Sequence, residues 1–127
     1  MEALRIRVGV DLVHIPRIAA RLEDTAFLRC AFQPVELRDA RPEHLAGLFA
    51  AKEACFKALG MAPRWLAVAV DTTHGRPQLR LSPEIAPPDL VSLDLSISHE
   101  GDYAAAVVVM LLGAGGPDDE HPDRDPD

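Results

Sequence analysis

Cysteine is scarce in this chain, and that narrows its chemistry. The two residues, Cys30 and Cys55, cannot build a disulfide framework and lack metal-ligand spacing. No long hydrophobic run occurs. The longest, residues 107–112 with its alanine lead-in, falls far short of the ~20 residues that span a bilayer. The opening MEALRIRVGVDLV has no basic start, apolar centre and small-residue cleavage site, which argues against secretion. Positive charge is also lacking. The formal net charge is -7, of which residues 117–127 carry -5 and residues 1–116 only -2. A nearly balanced body excludes duplex DNA binding driven by bulk charge. There is no internal repeat. These absences describe a reduced, cytoplasmic protein with neither nucleic acid nor membrane as partner.

What is present is ordinary globular material: 127 residues, 48% apolar and 26% charged, enough for one domain. Ile6, Val8 and Val10 alternate with Arg7 and Gly9, predicting a strand with one buried face that ends at Asp11. Pro16 suits the first turn of a helix whose apolar side is Ile15, Ile18, Ala19 and Leu22, with Arg17 and Arg21 one turn apart. Residues 27–40 suggest a short helix and a turn at Gln33-Pro34. Pro42 opens a long helix over residues 43–59, and Gly60 stops it. Residues 65–70 read as a strand, His74-Gly75-Arg76-Pro77 as a turn, and Gln78–Leu81 as the next strand. Three prolines keep residues 82–90 from a normal helix. Leu93, Leu95 and Ile97 mark another strand, residues 99–102 a hairpin turn, and Tyr103–Leu112 a returning strand buried on both faces. The expectation is an α+β domain over residues 1–112, a mainly antiparallel sheet with one long helix and shorter ones, then an acidic disordered tail over 113–127.

Three signals carry chemistry. The chain holds eleven arginines and only two lysines, and both lysines lie in the long helix, within AAKEACFK. A compact ammonium chosen where arginine is habitual suits phosphate oxygens. Glu53 and Lys57 equally fit an i,i+4 surface pair worth ~0.3 kcal/mol. Lys52 falls inside the apolar stripe of Leu45, Leu48, Phe49, Phe56 and Leu59, where a lysine needs a partner. Asp11, between Val10 and Leu12 at a strand end, is either a helix-entry carboxylate or, with Glu53, a pair of hard oxygen ligands for Mg2+. The third signal is SISHE, residues 96–100. Ser98, His99 and Asp102 cannot form a triad, since neighbouring strand residues face opposite ways and no nucleophile elbow exists. His99 is a turn histidine or a phosphate donor. Nothing suggests zinc.

Together these segments resemble the holo-acyl-carrier-protein synthases, the small class of 4′-phosphopantetheinyl transferases. Three blocks match in order: VGVDLVHIPRI (8–18), LFAAKEACFKALG (48–60) and LSISHEGDYAAAVVV (95–109). The turn HGRPQLRL (74–81) is similar to the family's Gly-x-Pro turn before a strand. The resemblance implies the fold of that family and transfer of 4′-phosphopantetheine from coenzyme A to a serine of an acyl carrier protein, releasing adenosine 3′,5′-bisphosphate. It places the Mg2+ carboxylates on Asp11 and Glu53, and catalysis on Glu53 and Lys57. It places coenzyme A contacts on Lys57, Ser98 and His99, and extends them to Lys52 and to Gly75 and Pro77 of the turn. Arg17, joined by Arg21, would meet the acidic carrier, which belongs to fatty-acid or polyketide synthesis. Family members of this size form homotrimers with sites between subunits, so Lys52 would point into a neighbour's site. The serine proton goes to a bound water or to Glu53. Three departures stand out: Leu48 where a basic residue is usual, a short MAPR loop after Gly60, and proline-bearing residues 82–90 in place of a helix. Two other readings fit the same residues: a non-catalytic descendant that binds carrier or coenzyme A, and an unrelated Mg2+-dependent nucleotide hydrolase.

Overall fold

A computed structural model describes residues 3–113. The expected tail lies, apart from Gly113, outside the described residues. The chain runs through β1 (Arg5–His14), α1 (Ile15–Ala19), α2 (Thr25–Ala31), a 3-10 turn at Pro34–Arg38, and α3 (Pro42–Leu59). It continues through a 3-10 turn at Trp65–Ala67, β2 (Val68–Asp71), β3 (Gln78–Leu81), β4 (Leu90–Glu100) and β5 (Tyr103–Leu112). Strands β1, β5 and β4 form an antiparallel sheet in that order, and β2 and β3 form a separate two-stranded ribbon. The fold is α+β, as the pattern implied.

α3 begins at Pro42 and ends at Gly60, which adopts the left-handed conformation (φ 70°) and donates its N–H to the Phe56 and Lys57 carbonyls. The helix crosses one face of the sheet. Its N-terminal half lies over β4, where a Cβ on Gly47 would sit 3.0 Å from Ile97 Cγ2. Its C-terminal half lies on β1, where a Cβ on Gly9 would sit 1.8 Å from the Ala54 carbonyl oxygen. Between them Val13, Leu45, Phe56, Val108 and Met110 are buried. Cys55, also on α3, is buried in the core, and burial pushes its thiol up to about 12, whereas Cys30 is exposed.

Lys52 is fully buried within its own chain. Its Nζ donates to Glu36 Oε1 at 2.6 Å, to the Ala31 carbonyl at 2.8 Å and to the Trp65 carbonyl at 3.2 Å. Glu36 in turn accepts the Gln33 N–H at 2.7 Å and the Val70 N–H at 2.9 Å. The expectation that Lys52 reaches a neighbour's site is therefore wrong: all three ammonium donors are spent at home.

Several boundaries differ from the sequence reading. β1 does not end at Asp11 but continues to His14. Its faces are also the reverse of the alternation. Ile6, Val8, Val10 and Leu12 point outward at 58–67% exposure, while Gly9, Asp11 and Val13 face α3. Only glycine lets the strand come so close to the helix, so Gly9 decides which face turns in. β5 is likewise buried on one face only, with Val109 exposed. Residues 65–67 are a 3-10 turn rather than strand, because Trp65 stacks on Phe49 at 4.7 Å and turns its carbonyl to Lys52. His99 and Glu100 belong to β4, leaving Gly101-Asp102 as a two-residue hairpin turn with Gly101 at φ 57°. α1 stops at Ala19, so Arg21 lies in the turn beyond it. Of residues 82–90, 82–89 form turns with no helix, as the prolines required, and Leu90 opens β4; the segment is held by the buried Ile85 and by Asp89, which bonds Arg5 at 2.6 Å.

Substituting Lys52→Met leaves the Glu36 carboxylate buried without its counter-charge, so stability should fall by about 3–5 kcal/mol. Urea unfolding followed by circular dichroism measures the loss, and an unchanged midpoint would contradict the assignment.

Candidate active site

β1 brings a carboxylate against the C-terminal half of α3, where Lys57 bonds it. Asp11 projects from the inner face of β1 and is nearly buried, at 9% exposure. Glu53 and Lys57, one helical turn apart, flank it. Lys57 Nζ donates to Asp11 Oδ1 at 2.9 Å and to the Val10 carbonyl at 3.1 Å, yet its side chain stays 57% exposed. The hydrogen bond from Lys57 to Asp11 holds the ammonium's pKa above its ordinary value. Burial, and then the adjacent Asp11 carboxylate, raise Glu53 above the usual carboxylate range, while Arg17 and Lys57 pull it back. Two carboxylates are thus brought together at the protein surface with a single ammonium against them.

Beside this cluster opens a groove of about 450 Å³ lined by Glu53, Phe56, Lys57, Gly60, Met61 and Pro63. The short loop after Gly60 forms its far wall. Arg17 stands exposed on α1, close enough for its charge to act on Glu53. Arg21 is committed elsewhere, bonding Asp24 at 3.0 Å and lying 4.2 Å over the Phe27 ring.

The donor set suits Mg2+, which takes one or two carboxylates and completes its octahedron with water and substrate oxygens. Among the described residues no group of three or more His, Cys, Asp or Glu could hold a metal, so a softer, fully protein-ligated ion has no cage here.

The other expected site residues do not join this cluster within one chain. Gly75 and Pro77 lie in and just after the β2–β3 turn, where Gly75 takes φ 79° and Arg76 bonds both Asp94 oxygens at 3.0 Å. That salt bridge ties the turn to β4. Ser98 and His99 are also on β4, facing opposite sides of the sheet, with His99 on the helix side. β4 is two strand spacings, about 10 Å, from β1. The candidates therefore divide between opposite edges of one sheet. Glu36, the partner of Lys52, was missed by sequence reasoning. Its signal was available in the Gln33-x-x-Glu36 spacing of a capping box, which the structure forms.

Comparison with known proteins identifies the family. Residues 7–108 match the 4′-phosphopantetheinyl transferase superfamily. A holo-[acyl-carrier-protein] synthase of Frankia alni is 44% identical over 112 residues, covering 82% of this chain and 95% of the relative. One from Micrococcus luteus is 39% identical over 114 residues, with 82% and 90% covered. Among solved structures, an ACPS–CoA complex of Chronobacterium ammoniagenes superposes with a TM-score of 0.73 at 37% identity, covering 85% of this chain and 98% of that one. The Helicobacter pylori holo-[acyl-carrier-protein] synthase in complex with coenzyme A gives 0.71 at 32%, with 81% and 98% covered. The chain belongs to the 4′-phosphopantetheinyl transferase superfamily and, within it, to the holo-[acyl-carrier-protein] synthases.

Proposed function

We propose that this protein transfers 4′-phosphopantetheine from coenzyme A to a serine hydroxyl of an acyl carrier protein, releasing adenosine 3′,5′-bisphosphate. The observation that carries the reading is the meeting of Asp11, Glu53 and Lys57 at one exposed point. Asp11 and Glu53 would hold Mg2+ there. Bound to them, the ion supplies neutralisation of the charge that develops on the leaving nucleotide. Lys57, mostly exposed and on a flexible stem, swings from Asp11 to a pyrophosphate oxygen when substrate arrives. The groove beside Lys57 takes the extended pantetheine arm and directs the β-phosphorus outward, to the side from which a carrier serine attacks in line. Arg17, beside the groove, receives the acidic carrier; Arg21, bound to Asp24, adds a weaker charge to the same side.

We also propose that the active assembly is a homotrimer with sites between subunits. Two observations support it. The binding residues divide between the β1 edge and the β4 edge of one sheet, so Gly75, Pro77, Ser98 and His99 can serve a neighbour's Asp11 cluster. The outer sheet face exposes Ile6, Val8, Val10, Leu12 and Val109, an apolar area that monomers rarely leave bare.

Mass spectrometry of candidate apo-carriers incubated with coenzyme A, Mg2+ and the protein tests the reaction. Asp11→Ala and Glu53→Ala should each cut transfer about 100-fold or more, a loss of several kcal/mol of charge stabilisation, with the melting temperature unchanged. Lys57→Arg should also be impaired, since a guanidinium fork does not reproduce a compact ammonium. Full activity in either alanine variant at ordinary Mg2+ would remove the metal assignment.

Arg17→Glu should raise KM for the carrier strongly and KM for coenzyme A little, and should abolish most of the salt dependence seen at low carrier concentration. Initial rates across a salt series measure both. For the assembly, Val8→Asp should leave circular dichroism unchanged, because Val8 is solvent-facing within the chain, while sedimentation shows monomer and transfer is lost. A monomeric wild type with full activity would refute the shared site.

A further inference from the structure

Gly9 has no side chain to contribute and sits two residues before Asp11, yet its position is the tightest among the described glycines. A Cβ there would lie 1.8 Å from the Ala54 carbonyl oxygen, 2.8 Å from its carbonyl carbon and 2.9 Å from the Ala58 nitrogen. All three are helix backbone, so no rotamer change relieves the contact. By contrast, a Cβ on Gly47 meets only the end of the Ile97 side chain, at 3.0 Å. Ala54 and Ala58 are one turn apart and buried, and the residues on their flank are Glu53 and Lys57. Gly9 and Asp11 point to the same face of β1, separated by about 7 Å along the strand. The distance between strand and helix at Gly9 is therefore the distance across which Lys57 reaches Asp11 at 2.9 Å and the Val10 carbonyl at 3.1 Å.

We infer that Gly9 is a positioning residue for the reaction: it sets the gap between the Asp11 carboxylate on β1 and the Glu53–Lys57 pair on α3. The metal part of this inference rests on the Mg2+ reading above; the spacing part does not. Mg2+ demands near-ideal octahedral geometry with ligand distances of about 2.0–2.1 Å, so its two carboxylates tolerate little separation. A methyl group at residue 9 must move β1 off the helix by more than about 1 Å to reach ordinary contact. A displacement of that size at a reacting centre costs on the order of 100-fold in rate.

The experiment uses the full chain with Gly9→Ala, the milder Ala58→Ser, which crowds the same seam from the helix side, and Gly47→Ala as a packing control at the other end of α3. The first readout is metal-free: a crystal structure of each variant, in which the separation of the Asp11 and Lys57 Cα atoms, which the flexible lysine stem cannot mask, should lengthen by about 1 Å in the two seam variants and stay unchanged in the control. The second is Mn2+ affinity by electron paramagnetic resonance, expected to weaken about 10–100-fold in the seam variants at equal folded fraction and to hold in Gly47→Ala. If Gly9→Ala does not fold, Ala58→Ser carries both readouts. An unchanged Asp11–Lys57 Cα separation in a seam variant would overturn the inference, as would equal Mn2+ losses in the seam and control variants. If the wild type binds no Mn2+, the metal reading falls and the separations still decide the role of Gly9.

Discussion

The fold depends on one buried ammonium. Lys52 has no exposure, and a charge so placed survives only where every donor is met. Its three acceptors come from three separate stretches: the end of α2, the turn at Pro34–Arg38 and the turn at Trp65–Ala67. Glu36 passes the link on to the Val70 N–H at the start of the ribbon. Burial lowers the lysine's pKa and Glu36 opposes that drop, so the charge persists because the carboxylate is there. These segments are thereby fixed to the long helix, alongside the rings of Phe27, Phe32 and Trp65 that pack on Phe49. The hub occupies one side of α3 and leaves its neighbouring side free for chemistry.

That free side meets the sheet at its β1 edge. Two backbones in near contact place three charged side chains within hydrogen-bonding reach, without a loop to position them. Sites mounted on a strand and a helix hold their geometry better than sites on loops. Asp11 and Glu53 crowd two carboxylates together, and burial with that proximity raises Glu53 above the usual carboxylate range although Arg17 and Lys57 oppose the rise. The β4 edge carries a second set of polar groups, with the exposed Arg76–Asp94 pair joining it to the β2–β3 turn.

Much of this was legible in the sequence, and the gaps have physical causes. Pro42 and Gly60 bracket α3 because each acts locally, through a missing N–H and a left-handed φ. Asp11, Glu53 and Lys57 stood out because carboxylates and a rare lysine occupy places where apolar or arginine residues would be expected. The inward face of β1 was not legible. Alternation of Ile6, Val8 and Val10 says that a strand has two faces but not which one meets the helix, and here the apolar one turns out. The partner of Lys52 was also hidden, since Glu36 is 16 residues away and joined to it only through the packed core. Residues 65–67 look like strand by composition, and tertiary contacts of Trp65 override that preference.

The two thiols differ in a way that makes the core around α3 observable. Cys30 is on the surface, while Cys55, on α3, is buried in the core with its thiol pushed up to about 12. Thiolate is the reactive form, so at neutral pH the native chain offers an alkylating reagent one sulfur and withholds the other. Labelling of Cys55 then proceeds only as fast as the core around α3 opens. The rate of that second modification is a clock for this opening, read in the intact protein without denaturant or substrate.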